Sequence, residues 1–521
     1  MMMKKLLFAL VFMLGSIGIT QGQNYEFDNV ERSGTGGIRA LKDGNQVLGY
    51  ISVVKLDNVS RKEKLYGVTI LDENLQKTHY QEMVVDKRAY LVNQAFNQNS
   101  FCFAFMNYKK KTIDYVIYDL KLNEIGRLVA EDIHPSDLQN GSGNSGDDKL
   151  TLSNLKPVAN KGYVRTGYVK AKGYKASVQM FDNSGELLWS QGTNYKGKMY
   201  EGADIHHVGE KMVISSVISK KSAFSSETKC FIVAHDINSG DEIYRIETID
   251  SKHQMFPYDV SYNEKTNEFI VCGEYYKTGE NIYKVKSQGF FIQSYEGKEG
   301  KLIKSSLINW NKDVAKKMPS KKKAGYKEMD VTIHKMVITE NGKIYAIGEQ
   351  FKKSISALGV ASTVLSRGSG GGASSVQIEI HDLMAFEIDS MMELTAVHVF
   401  DKNVSKVLLP QGYGMVRGYL LANLLKMQGN FDHCYTAVSP DRQNFNAVYI
   451  DYDRENLFKG KYNIGVVGLN ENNEVSSDLY ELTTKPYSFY VCEAKPGYVA
   501  IVEYFKEDKK LSVRLEKSNI E

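Results

Sequence analysis

Residues 181–189, FDNSGELLW, decide the fold: an apolar run ends at Asp182, the residues Asp-Asn-Ser-Gly reverse the chain, and a second apolar run begins at Leu187. A short Asp/Asn/Ser/Gly cluster between two apolar runs is the mark of a β-hairpin. The pattern recurs as LDENLQKTHY from Leu71, YDLKLNEIGRLV from Tyr118 and HDINSGDEIYRI from His235. A lone hairpin cannot bury its own apolar face, so recurrence along the chain implies many hairpins sharing one core.

A second kind of hairpin alternates with the first. It joins two apolar strands through a polar turn, as in RALKDGNQVLGYISVVKL from Arg39, VNQAFNQNSFCFAFMNY from Val92, PVANKGYVRTGYVK from Pro157 and HHVGEKMVISSVI from His206. It returns as VSYNEKTNEFIVCGEYY from Val260, MVITENGKIYAIGEQF from Met336, YTAVSPDRQNFNAVYIDYD from Tyr435 and YVCEAKPGYVAIVEYF from Tyr490. An Asp-turn type of hairpin follows each of the first seven. Two hairpins make four antiparallel strands, which is one propeller blade. The spacing, roughly 50 to 60 residues, slightly exceeds that of common blades, so the connections are enlarged. The expected fold is therefore an all-β, eight-bladed β-propeller, with seven blades as the alternative if 351–430 hides fewer sheets. After the eighth first-type hairpin only KKLSVRLEKSNIE remains, enough for a third strand and no fourth. Tyr25–Arg32, YEFDNVER, is expected to pair with that last blade and close the ring, removing its exposed edges.

The chain opens with two lysines, an apolar run from Leu6 to about Ile19, and Thr20 and Gly22 ahead of a cleavage point. That order describes a secretory signal peptide over 1–22, cut near Gly22, and the apolar run is short for a span of ~20 residues. No cysteine follows it, so a lipoprotein anchor is not indicated. The expectation is a periplasmic or extracellular protein without stable membrane insertion, with 23–521 forming a single propeller domain.

Charge is balanced, 66 Lys+Arg against 62 Asp+Glu, so no long-range field argues for nucleic acid. Five cysteines, at 102, 230, 272, 434 and 492, sit in apolar runs without framework or CxxC spacing. They read as small buried strand residues, with one cross-strand disulfide left open. Three insertions break the rhythm. Residues 309–327 carry seven lysines and read as a solvated loop, the alternative being an electrostatic docking patch. Residues 351–375 end in a Gly/Ser-rich stretch, RGSGGGASS, whose composition is that of a flexible linker, and the apolar stretch Ile355 to Leu365 is expected to pack locally. In 411–429, Val416, Leu420, Leu424 and Met427 recur at helical intervals before Gly429, so a helix packed on the propeller is expected.

Candidate chemistry is sparse. His206-His207, His235-Asp236 and His381-Asp382 are the histidine pairs and His-Asp dipeptides, and neighbours on a regular strand point to opposite faces. They read as polar residues in turns at strand ends, since no zinc-type spacing supplies further ligands. Asp451, Asp453 and Glu455 would share a strand face able to meet a hard cation, with a solvated edge as the plainer reading. No GxSxG, HExxH or phosphate-loop motif occurs. Carboxylates for glycoside hydrolysis would come from different blades and leave no spacing signal. Tyrosine is abundant at 33 residues against 2 tryptophans, which suits half-buried strands and also recognition surfaces. No catalytic, cofactor-binding or metal-ligating residue is assigned from these signals, and no cofactor is expected.

AVSPDRQNFNAVYIDYDR, from Ala437, resembles the SPDG-type repeat of TolB-like propellers, with Arg442 where glycine is usual, and FDNSGELLW and HDINSGDEIY are similar to turns of quinoprotein-type propellers. Taken whole, the leader and the Tyr- and Lys-rich strands resemble an uncharacterised family of exported propeller-like proteins from Bacteroidota-type bacteria. The resemblance implies a propeller and no particular activity, and quinone binding is not carried over. The expected function is an exported binding or interaction module for an unknown protein or glycan, acting as a monomer. A secreted glycan-active enzyme with carboxylates in the channel is the alternative, and a structural envelope component the third reading.

Overall fold

The computed structural model describes residues 23–518 except 32–36, 134–153, 172, 193–198, 223–224, 226, 264–265, 283, 327, 356–375, 410–415, 454–460, 470–473, 483 and 485. Strands dominate. They form four-stranded antiparallel units in chain order: unit 1 spans Ile38–Asp86, unit 2 Ala89–Ala130, unit 3 Leu155–Gly192, unit 4 Met199–Glu247, unit 5 His253–Asn309, unit 6 Asp330–Phe400 and unit 7 His433–Glu481. A short fifth strand, Ser405–Leu408, extends unit 6, and a two-residue parallel contact of Gly173 and Tyr174 with Met199 and Tyr200 joins units 3 and 4. The last unit takes three strands from Ser488–Lys517. Its fourth is Asn24–Phe27, which pairs antiparallel with Leu511–Arg514.

The apolar runs are continuous because each unit is sandwiched between two neighbours. In the strand Ser100–Asn107, every residue is buried. Phe101, Phe103 and Phe105 pack towards unit 1, whereas Cys102, Ala104 and Met106 pack towards unit 3. Pleat alternation thus serves two cores from one strand. Similar clusters lie between each later pair of consecutive units. Another joins the last unit to the first, with Phe27, Val30, Tyr50, Val502 and Val513 in one cluster. Polar contacts reinforce this junction: Lys42 pairs with Glu493 at 2.6 Å, and the Ile38 N–H donates to the Tyr490 hydroxyl.

Four of the Asp turns are built the same way, while that of Asp236 is one residue longer, with Asn238 and Ser239 N–H groups on its carboxylate and Gly240 at positive φ. Asp182 Oδ1 accepts the Ser184 and Glu186 N–H groups, both at 2.9 Å, and Asp72, Asp119 and Asp389 repeat this pattern. The third residue after the Asp has positive φ, which favours glycine. Gly185 (φ +86) fills that position in unit 3, where a Cβ would lie 2.5 Å from the Arg127 backbone. Leu75, Leu122 and Met392 fill it elsewhere at φ +63 to +67. Those three side chains are buried between units, and their packing offsets the backbone strain.

Of the three insertions, 309–327 departs from the expected solvated loop. It forms a π-helical turn, Trp310–Val314, and short helical turns at Ala315–Lys317, Ser320–Lys322 and Lys323–Tyr326. Trp310, Val314, Met318 and Tyr326 anchor it in the core between units 5 and 6. These apolar residues were overlooked because lysines surround them in sequence. In 351–375, Phe351 to Ile355 continue a unit 6 strand, while the rest, including RGSGGGASS, lies outside the described residues. Ile355 itself is 77% exposed. The third insertion contains the helix Gly418–Met427, followed by Gly429 at φ +56. Its buried stripe is Leu421, Ala422 and Leu425, and Leu420 is exposed. The sequence GYLLANLLKM is apolar nearly all round, so periodicity alone could not choose the stripe. All five cysteines are free, three buried, one half-buried and Cys434 exposed.

Candidate functional site

The first strands of consecutive units lie side by side from unit 2 to the last, and Ser488–Glu493 of the last unit lies beside Ile38–Asp43 of unit 1. Units 4, 5 and 6 share a local irregularity on this side, one that units 2 and 7 also show at Val92 and Cys434. Their first strands, Met199–Val208, His253–Asn263 and Asp330–Ile338, each carry one extra residue, at His206, Tyr258 and His334. A bulge re-aims a side chain that regular pleating would place elsewhere. In each unit the re-aimed ring meets a polar residue of the second strand. His206 Nε2 lies 2.8 Å from Ser216 Oγ, His334 Nε2 lies 3.0 Å from Glu349 Oε2, and Tyr258 sits against Glu274. Gly273 and Gly348 precede the two glutamates, and a Cβ there would meet the carbonyl oxygens of Phe256 at 2.0 Å and Thr332 at 2.5 Å. The close approach of the bulged strand demands glycine at both places.

The helix Gly418–Met427 packs over this side. Leu421, Ala422 and Leu425 meet Phe351, Ile378, Ile380 and Phe431, while Tyr419 meets Cys230, Phe256 and Tyr276 and stacks on Tyr258 at 5.1 Å. One helix thus touches units 4, 5 and 6. Gly418, at φ +54, starts it where a Cβ would lie 2.3 Å from the Val285 carbonyl oxygen. The Lys426 ammonium lies 3.8 Å from the Tyr258 ring centre and donates to the Ile333 carbonyl.

Charges buried here are answered by opposite charges. Glu349 and Lys402 side chains are both 0% exposed and 3.4 Å apart, and Lys402 also bonds Asp432. Glu349 Oε2 accepts the His433 N–H at 3.1 Å. Burial, with Lys426 and Lys402 alongside, holds His334 well below the usual imidazole range, so it is a neutral Nε2–H donor to Glu349. The His433 ring stacks on it at 4.6 Å and is depressed by burial too. Glu274 accepts from the Tyr276 hydroxyl at 2.6 Å, which in turn accepts the Tyr419 N–H at 3.0 Å. Burial pushes Glu274 up to about 7 and pulls Lys426 down to about 8. Burial also raises Asp259, but Lys335 at 2.9 Å and the Met336 N–H outweigh it and keep the carboxyl below its ordinary value.

A cleft of about 390 Å³ opens beside the helix start, lined by Leu421, the cations Lys286, Lys352, Lys353 and Arg417, the carboxylates Glu328, Asp330 and Glu379, and Ser354. It falls within the size range of small-molecule sites.

The residues singled out in sequence lie mostly apart from this site. His206 belongs to it, as a bulge residue rather than a turn residue. The His207 ring lies tilted against Tyr262 at 4.9 Å, and His235 stacks on Trp189; burial lowers each to about 4. His381 is inside the strand Val376–Ile388, 3.6 Å from Glu379. His206 and His381 lie inside their strands, whereas His207 and His235 are the penultimate residues of Met199–Val208 and Thr228–Asp236, at the strand ends beside the following turns. Asp451 is buried and accepts the Asn403 N–H at 2.6 Å, while Glu455 and the Asp453 side chain lie outside the described residues. Among the described residues no group of three or more His, Cys, Asp or Glu could hold a metal. Sequence reasoning passed over Glu274, Glu349, Lys402, Lys426 and Arg417. The repeated Cys272-Gly273-Glu274 and Ile347-Gly348-Glu349, charges within otherwise apolar strands, were the available signal.

The model of a family of unknown function (DUF6770) matches residues 2–519. The chain belongs to that family. No curated protein matches its sequence. Among solved structures, the β-propeller domain of the Trilobed protease from Pyrococcus furiosus is 11% identical, with 73% of this chain and 96% of that one covered and a TM-score of 0.33. A PL25 ulvan lyase is 8% identical over 82% of this chain and 91% of that one, with a TM-score of 0.41. The WD40 domain of SCAP from fission yeast is 10% identical over 82% and 95%, with a TM-score of 0.26. By its own strands this family member is an all-β protein. Among the described residues no helix is long and apolar enough to cross a membrane.

Proposed function

We propose that the chain is an exported binding module built as an eight-bladed propeller, with each four-stranded unit a blade and Asn24–Phe27 the strand that closes the ring. Closure is supported by the antiparallel pairing of that strand with Leu511–Arg514 and by the core shared between the first and last units. Export to the periplasm or exterior rests on the leader at 1–22, and a bacterial envelope setting on the resemblance of the whole chain. The module acts as a monomer on a protein or glycan, and needs neither nucleic acid nor a cofactor.

The observation that carries the binding reading is the cleft beside Arg417, where charged side chains of several segments converge on open space next to a rigidly seated helix. Loops and clefts held on a rigid scaffold are the usual seat of recognition. The test is a thermal-shift and calorimetric screen of the mature secreted chain against glycans and envelope proteins, repeated with Arg417→Gln. Binding lost in the variant supports the cleft as the site, whereas ligands indifferent to Arg417 move the site elsewhere.

A glycan-active enzyme is the second reading, and Glu274 is what favours it: a carboxyl held near 7 is suited to proton donation at neutral pH. It is, however, 3% exposed and enclosed by tyrosines. Release of reducing ends from polysaccharide, abolished by Glu274→Gln, would establish that reading in place of the first.

A further inference from the structure

We propose that the cleft beside Arg417 takes a saccharide bearing a carboxylate, a uronic-acid-type sugar, an inference that rests on the binding-module reading above and names its ligand class. The charge pattern selects for this chemistry. Two of the three carboxylates are already answered by lysines: Lys286 lies 3.0 Å from Asp330, and Lys352 lies 3.6 Å from Glu379. Glu379 also accepts from Ser354 Oγ at 2.9 Å. A carboxylate whose charge is neutralised gains little from a ligand ammonium, yet its remaining lone pairs accept hydroxyl hydrogens. The lysine ammonium groups, which carry three hydrogens each, supply further donors to sugar oxygens.

The surplus charge in the cleft is positive. Among the described residues the Arg417 guanidinium has no hydrogen bond or ion pair, though it is near enough to Asp330 to act on it electrostatically, and the side chain is exposed on the cleft wall. Lys353 stands close enough to feel it and is committed through its ammonium to the Val416 carbonyl. A planar guanidinium beside a second cation is suited to bidentate capture of a carboxylate. Leu421 gives an apolar patch for the C–H face of a ring. One anionic group with several hydroxyls fits these features. A zwitterion would find two of the three carboxylates already paired, and inorganic phosphate would leave the acceptors unused.

The test is isothermal titration of the mature chain at low salt with a galacturonic acid trisaccharide, the neutral trisaccharide maltotriose, inorganic phosphate and glycine. The acidic trisaccharide is expected to bind at least tenfold more tightly than the other three, and to weaken as salt rises. Arg417→Gln is expected to reduce its affinity at least tenfold, and Arg417→Lys to retain part of it. Because the side chain is exposed, melting temperatures of both variants should match the wild type and separate binding from folding. Equal binding of maltotriose, tighter phosphate binding, or insensitivity to Arg417→Gln overturns the acidic-sugar assignment while leaving a binding module. Failure of all four probes to bind overturns the assignment, and failure of the wider glycan and protein screen as well overturns the binding reading.

Discussion

Replacing Lys402 by Met tests whether the centre of the site is held by charge. The substitution keeps length and apolar stem but removes the ammonium that faces Glu349 at 3.4 Å and bonds Asp432. At an effective dielectric of about 20, the Coulomb attraction of Lys402 and Glu349 at that distance is about 5 kcal/mol, and losing one partner of a buried pair costs about 3 to 5 kcal/mol. Asp432 softens the loss. Burial already pushes it up to about 6, so without Lys402 it takes up a proton near neutrality. Glu349, at 0% exposure, is left with the His334 ring and the His433 N–H as its partners, neither of which supplies a full positive charge. Urea unfolding followed by tryptophan fluorescence should show Lys402→Met losing about 3 to 5 kcal/mol at pH 7.5 and less at pH 5.5. Adding Glu349→Gln should recover at least about 2 kcal/mol of it, because a carboxamide still accepts the His433 N–H without a stranded charge. A single variant within about 1 kcal/mol of wild type, or a double variant whose losses simply add, would refute the view that this is a coupled charge pair.

Arg442 stands at φ +60, a left-handed backbone that favours glycine, so Arg442→Gly is expected to raise stability by up to about 1 kcal/mol. Leu122→Gly relaxes the same backbone strain but removes a side chain 3% exposed, so it should lose about 2 to 4 kcal/mol, and urea midpoints of the two variants should move in opposite directions. Phe27→Ala empties the core shared by the first and last units and should cost about 3 to 5 kcal/mol; a change below about 1 kcal/mol would show that the N-terminal strand does little to hold them together. Because burial raises Glu274 above its unfolded value, the native state binds the extra proton, and stability falls as pH rises from about 4.5 to about 7. Glu274→Gln should remove that slope from the stability profile, which amounts to about 3 kcal/mol. Asp236 has the opposite sign: the N–H groups of Ser239 and Asn238 hold its carboxyl low, so its contribution is present at neutral pH and lost as pH falls through the ordinary carboxylate range, a loss that Asp236→Asn should abolish in acid-unfolding curves.

The hairpin code was legible because it is local. Asp182, Asp72 and Asp119 announce their turns through residues two and four positions on, and the chain between them is short enough to be read without a tertiary context. The helix at 418–427 was legible for the same reason, through its period and Gly429. What local reading could not supply was direction. Leu421 faces inward instead of Leu420 because the helix is gripped by units on more than one side, and Trp310 and Tyr326 turn a lysine-rich stretch into an anchored platform through contacts with strands far off in sequence. The site stayed hidden because its parts come from separate units: Glu274 answers to Lys426, 152 positions later in chain order by their own numbers, and Glu349 to Lys402. No spacing rule links residues whose proximity is decided by the packing of strands and helix.

Glu274 and Glu349 hold the same place in units 5 and 6, each after a glycine forced by a bulged neighbour, yet they differ in what neutralises them. Glu349 meets Lys402, which follows unit 6 directly and is fully enclosed. Glu274 meets Lys426, which belongs to the last turn of the helix, and its tyrosine partner Tyr276 is capped by the N–H of Tyr419 in the first turn. The two ends of one helix therefore complete the surroundings of one carboxylate. Any perturbation that unseats the helix, such as Leu425→Ala in the stripe against Phe351 and Ile378, removes both supports of Glu274 together while leaving the Glu349–Lys402 pair in place. The Glu349–Lys402 pair involves no residue of the helix, whereas the helix carries both Leu421 of the cleft wall and Lys426 beside Glu274.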